Sequence, residues 1–183
     1  MKASNTFFAV PAAAIFLAGL GACSMPGAPA PGGPPAMAPL QAKSGSQVGG
    51  TIVFTQHSSG LRVVARVSGL KPNQEHGFHV HETGDCSAPD ALSAGGHFNP
   101  TGQPHGPQST AHHAGDMPSL KADAAGNAEA TFTMENVTLA GATDGVIGKA
   151  VIVHAQPDDY QTQPTGNSGG RIACGLIAPA PGG

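Results

Sequence analysis

The sequence is short of charge, of aromatic side chains and of long helical patterns. Charged residues make up 10% of the chain and aromatic residues 4%, with no tryptophan and one tyrosine. The 8 Lys and Arg residues are outnumbered by 11 Asp and Glu, which gives a formal charge of −3. This balance excludes the basic surface that nucleic-acid-binding proteins need. No segment repeats apolar residues at helical spacing over more than about two turns, which excludes a helix bundle.

What the sequence has in plenty is glycine, proline and histidine, at 27, 17 and 9 residues. Glycine and proline favour turns between many short elements. Seven of the 9 histidines fall between His76 and His113. Imidazole is the commonest side-chain metal ligand, so this clustering makes a metal site the first hypothesis.

Residues 1–22 are predicted to form a signal peptide. The apolar run Phe7–Leu20 follows Lys2 and is shorter than the roughly 20 residues of a membrane-spanning helix. The tetrapeptide ending at Cys23 resembles a bacterial lipoprotein cleavage site, so we expect lipid on Cys23 and anchoring to a membrane of the cell envelope or periplasm. An ordinary signal peptide with a chance cysteine is the alternative. Residues 23–47, rich in Pro, Ala and Gly, are predicted to be an extended tether.

Residues 48–177 are predicted to form one all-β domain, followed by a flexible tail at 178–183. Apolar and polar residues alternate as they do in strands that bury one face. The strands are expected at Thr51–Gln56, Leu61–Ser68, Ala128–Glu135, Lys149–His154 and Arg171–Ile177. The pattern favours an antiparallel Greek-key barrel or sandwich of about seven or eight strands. Glu82–Leu120 and Asp158–Gly170 do not alternate and are expected to be long functional loops.

A short strand is also expected at Gly77–His81. Side chains alternate across a strand, so His79 and His81 should share one face, roughly 6–7 Å apart, with Phe78 and Val80 on the other. Two solvated histidines on a half-buried strand are the alternative to a metal site. The rest of the chain favours the metal site.

Further ligands of the right chemistry follow in the first long loop. Three histidines and an aspartate within about 20 residues are enough for a four-coordinate zinc site. The candidates are His97, His105, His113 and Asp116, with His112 as the rival to His113. His79 and His81, together with His154 downstream, supply the imidazoles that suit copper. Cys86 and Cys174 are predicted to pair as a disulfide in an oxidising compartment, the alternative being two buried thiols.

Taken together, these motifs resemble the copper–zinc superoxide dismutase family from about Val48 to Ile177. The resemblance rests on Gly77-Phe78-His79-Val80-His81, Gly96-His97-Phe98-Asn99-Pro100, His113-Ala114-Gly115-Asp116, Asp85-Cys86-Ser87, Val153-His154 and Gly166-Asn167-Ser168-Gly169-Gly170-Arg171-Ile172-Ala173-Cys174-Gly175. It implies the Greek-key fold and a bound copper and zinc ion.

The resemblance also implies a role for each matching residue. The implied copper ligands are His79, His81, His97 and His154, and the implied zinc ligands are His97, His105, His113 and Asp116. His97 would bridge the two metals and take part in proton transfer. Asp158 would link a copper ligand to a zinc ligand, and Arg171 would hold the substrate anion. Cys86 and Cys174 match the family disulfide. His76 and His57 stay outside the ligand set.

The implied activity is conversion of superoxide to oxygen and hydrogen peroxide as copper is alternately reduced and oxidised. An envelope copper- and zinc-binding protein without turnover is the alternative. The second long loop has no lysine, so Arg171, with Lys149 or Lys121, is expected to guide the anion. A homodimer stays open, since no dimer surface can be identified. The family's first strand should precede Val48, but residues 36–47 alternate poorly, so we expect that edge to be ragged or missing.

Overall fold

The computed structural model describes residues 1–2 and 33–181. Within that range the chain forms ten strands and one turn of 3₁₀ helix at Leu92–Ala94. The strands are β1 (Ala36–Ala42), β2 (Gly49–His57), β3 (Gly60–Ser68), β4 (Glu75–His76), β5 (Phe78–His81), β6 (Leu120–Lys121), β7 (Ala128–Met134), β8 (Ala150–His154), β9 (Arg171–Leu176) and β10 (Ala178–Pro179). In the described residues no helix is long and apolar enough to cross a membrane.

The strands form an eight-stranded antiparallel sheet and a separate two-stranded one, β4 with β6. The order in the large sheet is β5-β8-β9-β1-β2-β3-β7, and β10 pairs with β1. After β3 the chain crosses to β5 at the opposite end of this order, which is the long return connection of a Greek key. The predicted all-β Greek-key architecture is therefore confirmed, with the predicted strand number in the main sheet.

The core forms where the sequence alternates most regularly. On β3, Leu61, Val63 and Ala65 are fully buried, while Arg62 and Arg66 lie on the outer face. Burying a side chain of the size of Leu61 stabilises the fold by roughly 1.5–3 kcal/mol. β2 and β3 form a hairpin, since His57 pairs with Gly60 across a two-residue turn.

The tether predicted over residues 23–47 is wrong from Ala36 onward. Residues 36–42 form β1, which is neither ragged nor missing, and β1 pairs with β2 on one side and with β10 and then β9 on the other. Its inward side chains are the fully buried Ala36 and Ala38, which are too small to mark a strand by hydrophobic alternation. Pro39 cannot donate a backbone hydrogen bond, but it falls in the gap between the pairings to β10 and to β9, where the ladder is already interrupted.

The flexible tail predicted at 178–183 is wrong for its first two residues. Ala178–Pro179 form β10 and pair with the start of β1. The predicted signal peptide, Cys23 and the first part of the tether lie outside the described residues, apart from Met1 and Lys2.

Both predicted long loops are present, and the first one packs on the free edge of β5. Phe98 N–H donates to the Val80 carbonyl, and Val80 N–H donates to the Gly115 carbonyl, each at 2.8 Å. A Cβ atom at Gly115 would lie 2.2 Å from the Val80 oxygen, so only glycine permits this approach. A disulfide between Cys86 and Cys174, with Cα atoms 5.7 Å apart, ties the same loop to β9. The predicted disulfide is confirmed.

Candidate metal centre

Three histidines are positioned by the paired strands β5 and β8. His79 and His81 share one face of β5, with ring centroids 6.3 Å apart as the strand period predicts. His154 is the last residue of β8, and its ring centroid lies 4.9 Å from that of His79. Phe78 and Val80 point into the core from the other face of β5. All three histidine side chains are buried, so they are not the solvated pair of the alternative reading.

The first long loop adds a fourth ring to this group. His97 stacks on His79 with centroids 4.0 Å apart and lies 5.0 Å from His81. One ring nitrogen from each of the four residues lies within 4.8 Å of the other three. These four histidines can hold a metal ion.

Four buried ring nitrogens in this group have no hydrogen-bond partner. They are His79 Nδ1, His81 Nε2, His97 Nε2 and His154 Nε2. In all four rings the second nitrogen is hydrogen-bonded: His79 to Asp158 at 2.6 Å, His97 to Asp116 at 2.8 Å, and His81 and His154 to backbone carbonyls at 2.9 and 3.2 Å. A ring nitrogen that donates its proton in this way leaves the other as a free lone pair. Unpaired buried lone pairs are costly, and a shared cation would satisfy all four.

A second group lies on the other side of the His97 ring. His97 Nδ1 lies 2.8 Å and His113 Nδ1 3.3 Å from Asp116 Oδ1, and the two nitrogens are 3.3 Å apart. His105 Nδ1 lies 3.0 Å from Asp116 Oδ2. Donors at about 2.0–2.1 Å from a tetrahedral zinc ion lie about 3.3 Å from one another. The distances of 2.8–3.3 Å from the Asp116 carboxylate to the three histidines are close to this value, and His97 faces both groups.

The fourth donor of the second group is better supplied by His113 than by two rivals. His79, and not His113, joins His97, His105 and Asp116 in a set of ligand atoms that all lie within 4.8 Å of one another. However, His79 Nε2 is committed to Asp158, and His79 Nδ1 belongs to the first group. His112 is half-buried and donates to the Thr110 carbonyl at 2.7 Å. His113 is buried, as the sequence spacing to Asp116 favours.

Asp158 joins the two groups directly. Its Oδ2 lies 2.6 Å from His79 Nε2, and its Oδ1 accepts from His105 Nε2 at 2.9 Å and from the Tyr160 backbone N–H at 2.7 Å. Burial raises the pKa of Asp158, but the hydrogen bonds from His105 and His79 outweigh burial and hold the pKa well below its usual range. A permanent carboxylate therefore fixes one ring of each group.

Two anchors of the second long loop have no signal in the sequence. The Gln163 side-chain amide pairs with the backbone of His105, accepting from its N–H and donating to its carbonyl, both at 2.8 Å. The Tyr160 hydroxyl accepts the Ser119 backbone N–H at 2.7 Å. Neither contact can be predicted from the residue type, because each joins residues that are distant in sequence.

The two groups differ in electrostatics. Burial lowers the pKa of His79 to about 4, against the opposing hydrogen bond to Asp158, and lowers the pKa of His81 and His154 well below 6.5. Burial also lowers the pKa of His105, but the carboxylates of Asp116 and Asp158 outweigh it and raise the pKa to about 9. His79, His81 and His154 are therefore neutral imidazoles at pH 7, whereas a metal at His105 must displace a proton.

A cavity of about 380 Å³ opens onto the first group. Arg171 lies in its wall beside His81 and His154. The Arg171 guanidinium donates to the carbonyls of Ala91 and Gly95, each at 2.7 Å, and the Gly95 carbonyl also accepts from His81 Nδ1. The shared Gly95 carbonyl therefore fixes the position of Arg171 relative to His81.

Within the described residues, Arg171 is the only Lys or Arg that lines this cavity. Lys149 Nζ lies over the Phe98 ring, 4.1 Å from its centroid. Lys121 pairs with Glu75 at 2.8 Å. The expectation that either lysine helps to guide an anion is therefore not supported. His57 and His76 stay outside both groups; His76 is buried and donates to the His154 carbonyl at 2.8 Å.

Known proteins share both the sequence pattern and the fold. A family model described as copper/zinc superoxide dismutase matches residues 48–177. The structure is similar to that of a double mutant of a SOD-like protein from Bacillus subtilis, with 38% identity and a TM-score of 0.71, covering 78% of this chain and 96% of that one. It is also similar to the clock protein EA4, with 37% identity and a TM-score of 0.72, covering 84% of this chain and 98% of that one.

Proposed function

The chain belongs to the copper/zinc superoxide dismutase family, and from this membership we propose that it converts superoxide to oxygen and hydrogen peroxide. One observation carries the proposal. Four unpaired buried ring nitrogens converge on one point, and one of those rings turns its other nitrogen to a second group of donors. Such an arrangement suits two ions of different character.

In this proposal copper is held by nitrogen atoms alone and zinc by nitrogen and oxygen. The copper ligands are His79 Nδ1, His81 Nε2, His97 Nε2 and His154 Nε2. The zinc ligands are His97 Nδ1, His105 Nδ1, His113 Nδ1 and an Asp116 carboxylate oxygen. When bound, copper supplies one-electron redox chemistry and zinc a redox-inert positive charge. Neither Cys86 nor Cys174 offers a thiolate, because the two are joined to each other.

The chain's own residues bind the anion and manage protons. Arg171 keeps its charge at all relevant pH and offers a site for a small anion in the cavity. Two superoxide ions and two protons give one oxygen and one hydrogen peroxide, so the site must deliver protons. His97 Nε2 is buried among the four unpaired nitrogens of the first group, and in this proposal it takes up a proton and returns it. Asp158 holds His79 and His105 in orientation throughout.

The test is superoxide removal by one preparation in three states: loaded with copper and zinc, stripped, and refilled with zinc alone. We expect rapid removal only where copper is present. A second candidate, a metal-binding protein without turnover, stays in view because one similar structure is named only SOD-like and another a clock protein. Copper bound at one per chain with no removal above that of the stripped protein would favour this second candidate.

Replacing Asp158 with asparagine should weaken zinc binding by about 10–100-fold, the usual effect of losing a partner that orients a ligand. The amide oxygen of asparagine can accept a hydrogen bond from either His79 or His105, but the amide NH₂ group then points at the other ring and cannot accept its proton. The measurement is competitive zinc titration against a chelator. Asp159→Asn is the matched control, since Asp159 is exposed and its contacts are within its own turn. Equal zinc affinity in both variants would contradict the role given to Asp158.

We also propose that the protein works at the cell envelope, held by lipid on Cys23. The support is the sequence alone: an apolar leader that ends at a lipoprotein-like cleavage site. Wild-type protein should incorporate labelled fatty acid and sediment with membranes. Cys23→Ser should lose the label and leave the membrane fraction, with dismutase activity unchanged. A Cys23→Ser protein that still carries the label and still sediments with membranes would contradict this proposal.

A further inference from the structure

An acidic residue lies at the cavity beside Arg171. Asp90 and Arg171 are the two formally charged side chains in the lining, which otherwise includes His81, His154, Ser44 and Ser168. An acidic group is unexpected in a cavity that must admit an anion, because it repels the substrate. The position of Asp90 in this cavity therefore needs a functional explanation.

Asp90 is exposed and held in place locally. Its Oδ1 accepts the backbone N–H of Leu92 at 3.0 Å, at the start of the 3₁₀ turn. Among the described residues Asp90 makes no ion pair, and the Arg171 guanidinium donates instead to the carbonyls of Ala91 and Gly95. The two charges therefore share one cavity without neutralising each other by contact. Burial lowers the pKa of Arg171, and the charge of Asp90 acts in the opposite direction.

Opposite charges in one cavity affect different anions unequally. Coulomb energy is proportional to the charge of the approaching ion. The factor by which Asp90 weakens binding of a dianion should therefore be the square of its factor for a monoanion. Superoxide carries a single charge, whereas phosphate is largely a dianion at mildly alkaline pH.

We propose that Asp90 is a specificity-determining residue of the proposed dismutase, which keeps polyvalent anions such as phosphate from occupying the Arg171 site while admitting a monovalent anion. Specificity commonly comes from a repulsive element of this kind. The inference rests on the proposed function, because it takes the cavity to be the route of superoxide to copper. Asp90 lowers the affinity of the cavity for superoxide, but it lowers the affinity for polyvalent anions more.

The experiment compares Asp90→Asn with wild type in the copper(II)- and zinc-loaded protein at low ionic strength. Asparagine keeps the oxygen that accepts the Leu92 N–H and removes only the charge. Azide is the monovalent probe, titrated by the change in copper absorption, and inorganic phosphate is measured by competition with azide. We expect azide affinity to rise about threefold and phosphate affinity about tenfold. Both gains should shrink in high salt.

Two controls separate the charge from other effects. Glu129→Gln removes one charge from β7, outside the cavity lining, and should leave both affinities unchanged. Asp90→Glu keeps the charge and should behave as wild type. Equal gains for azide and phosphate, no gain for phosphate, or a wild-type protein that binds neither anion would overturn the inference. Anion titration needs no turnover, so a protein that binds both anions as expected but removes no superoxide refutes the proposed function alone.

Discussion

Replacing His81 with alanine is expected to remove superoxide dismutation and to weaken copper binding by more than the 10–100-fold that loss of an outer partner typically costs. His81 contributes one of the four unpaired nitrogens, and its other nitrogen is fixed by the Gly95 carbonyl at 2.9 Å. Copper content and superoxide removal should be measured on the same sample.

His112→Ala is the matched control for this prediction. The same substitution then falls on a half-buried histidine of the first long loop, outside both donor groups, with a single hydrogen bond to the Thr110 carbonyl. Its activity and metal content should match those of the wild type. Full activity in His81→Ala, or equal losses in both variants, would refute the copper assignment.

Removing the disulfide with Cys86→Ser and Cys174→Ser together should lower the free energy of unfolding by about 4–5 kcal/mol in the chain-entropy model. The bridge closes a long segment, since its ends are 88 residues apart in sequence. Denaturant unfolding of the metal-free protein measures the change without a contribution from metal binding. Wild-type protein under reducing conditions should unfold like the double variant, and a loss below about 1 kcal/mol would contradict the estimate.

The same variant should also disturb the cavity wall. Cys86 and Cys174 pack with Ala91 and Ala94, and the Ala91 carbonyl accepts one of the two hydrogen bonds from Arg171. Loosening this cluster lets the guanidinium move. We therefore expect weaker azide binding to the copper-loaded double variant, even where copper content is restored.

Much of the fold follows from strong local signals. On β3 the apolar residues are large and alternate with arginine, so the strand and its buried face can be read from the sequence. On β1 the inward residues are alanines around a proline, and only pairing with strands distant in sequence shows that the segment is a strand. Small residues next to a well-packed sheet leave no hydrophobic pattern to detect.

The donor groups could be predicted because their chemistry is local. His79 and His81 share a face by the strand period alone, and His113 and Asp116 lie on one short turn. The structure adds which nitrogen of each ring is free and which is committed. It also shows contacts that pattern cannot supply, such as the pairing of Gln163 with the His105 backbone and the place of Asp90 in the cavity.

The proposed dismutase site requires one imidazole between two ions, and electron paramagnetic resonance of protein loaded with copper(II) at both sites tests this most directly. An imidazolate shared through His97 should couple the two copper ions, so that their spectrum differs from the sum of two isolated centres, and His97→Ala should abolish the coupling. Two uncoupled copper signals in the wild-type protein would contradict the shared ring and, with it, the proposed dismutase site.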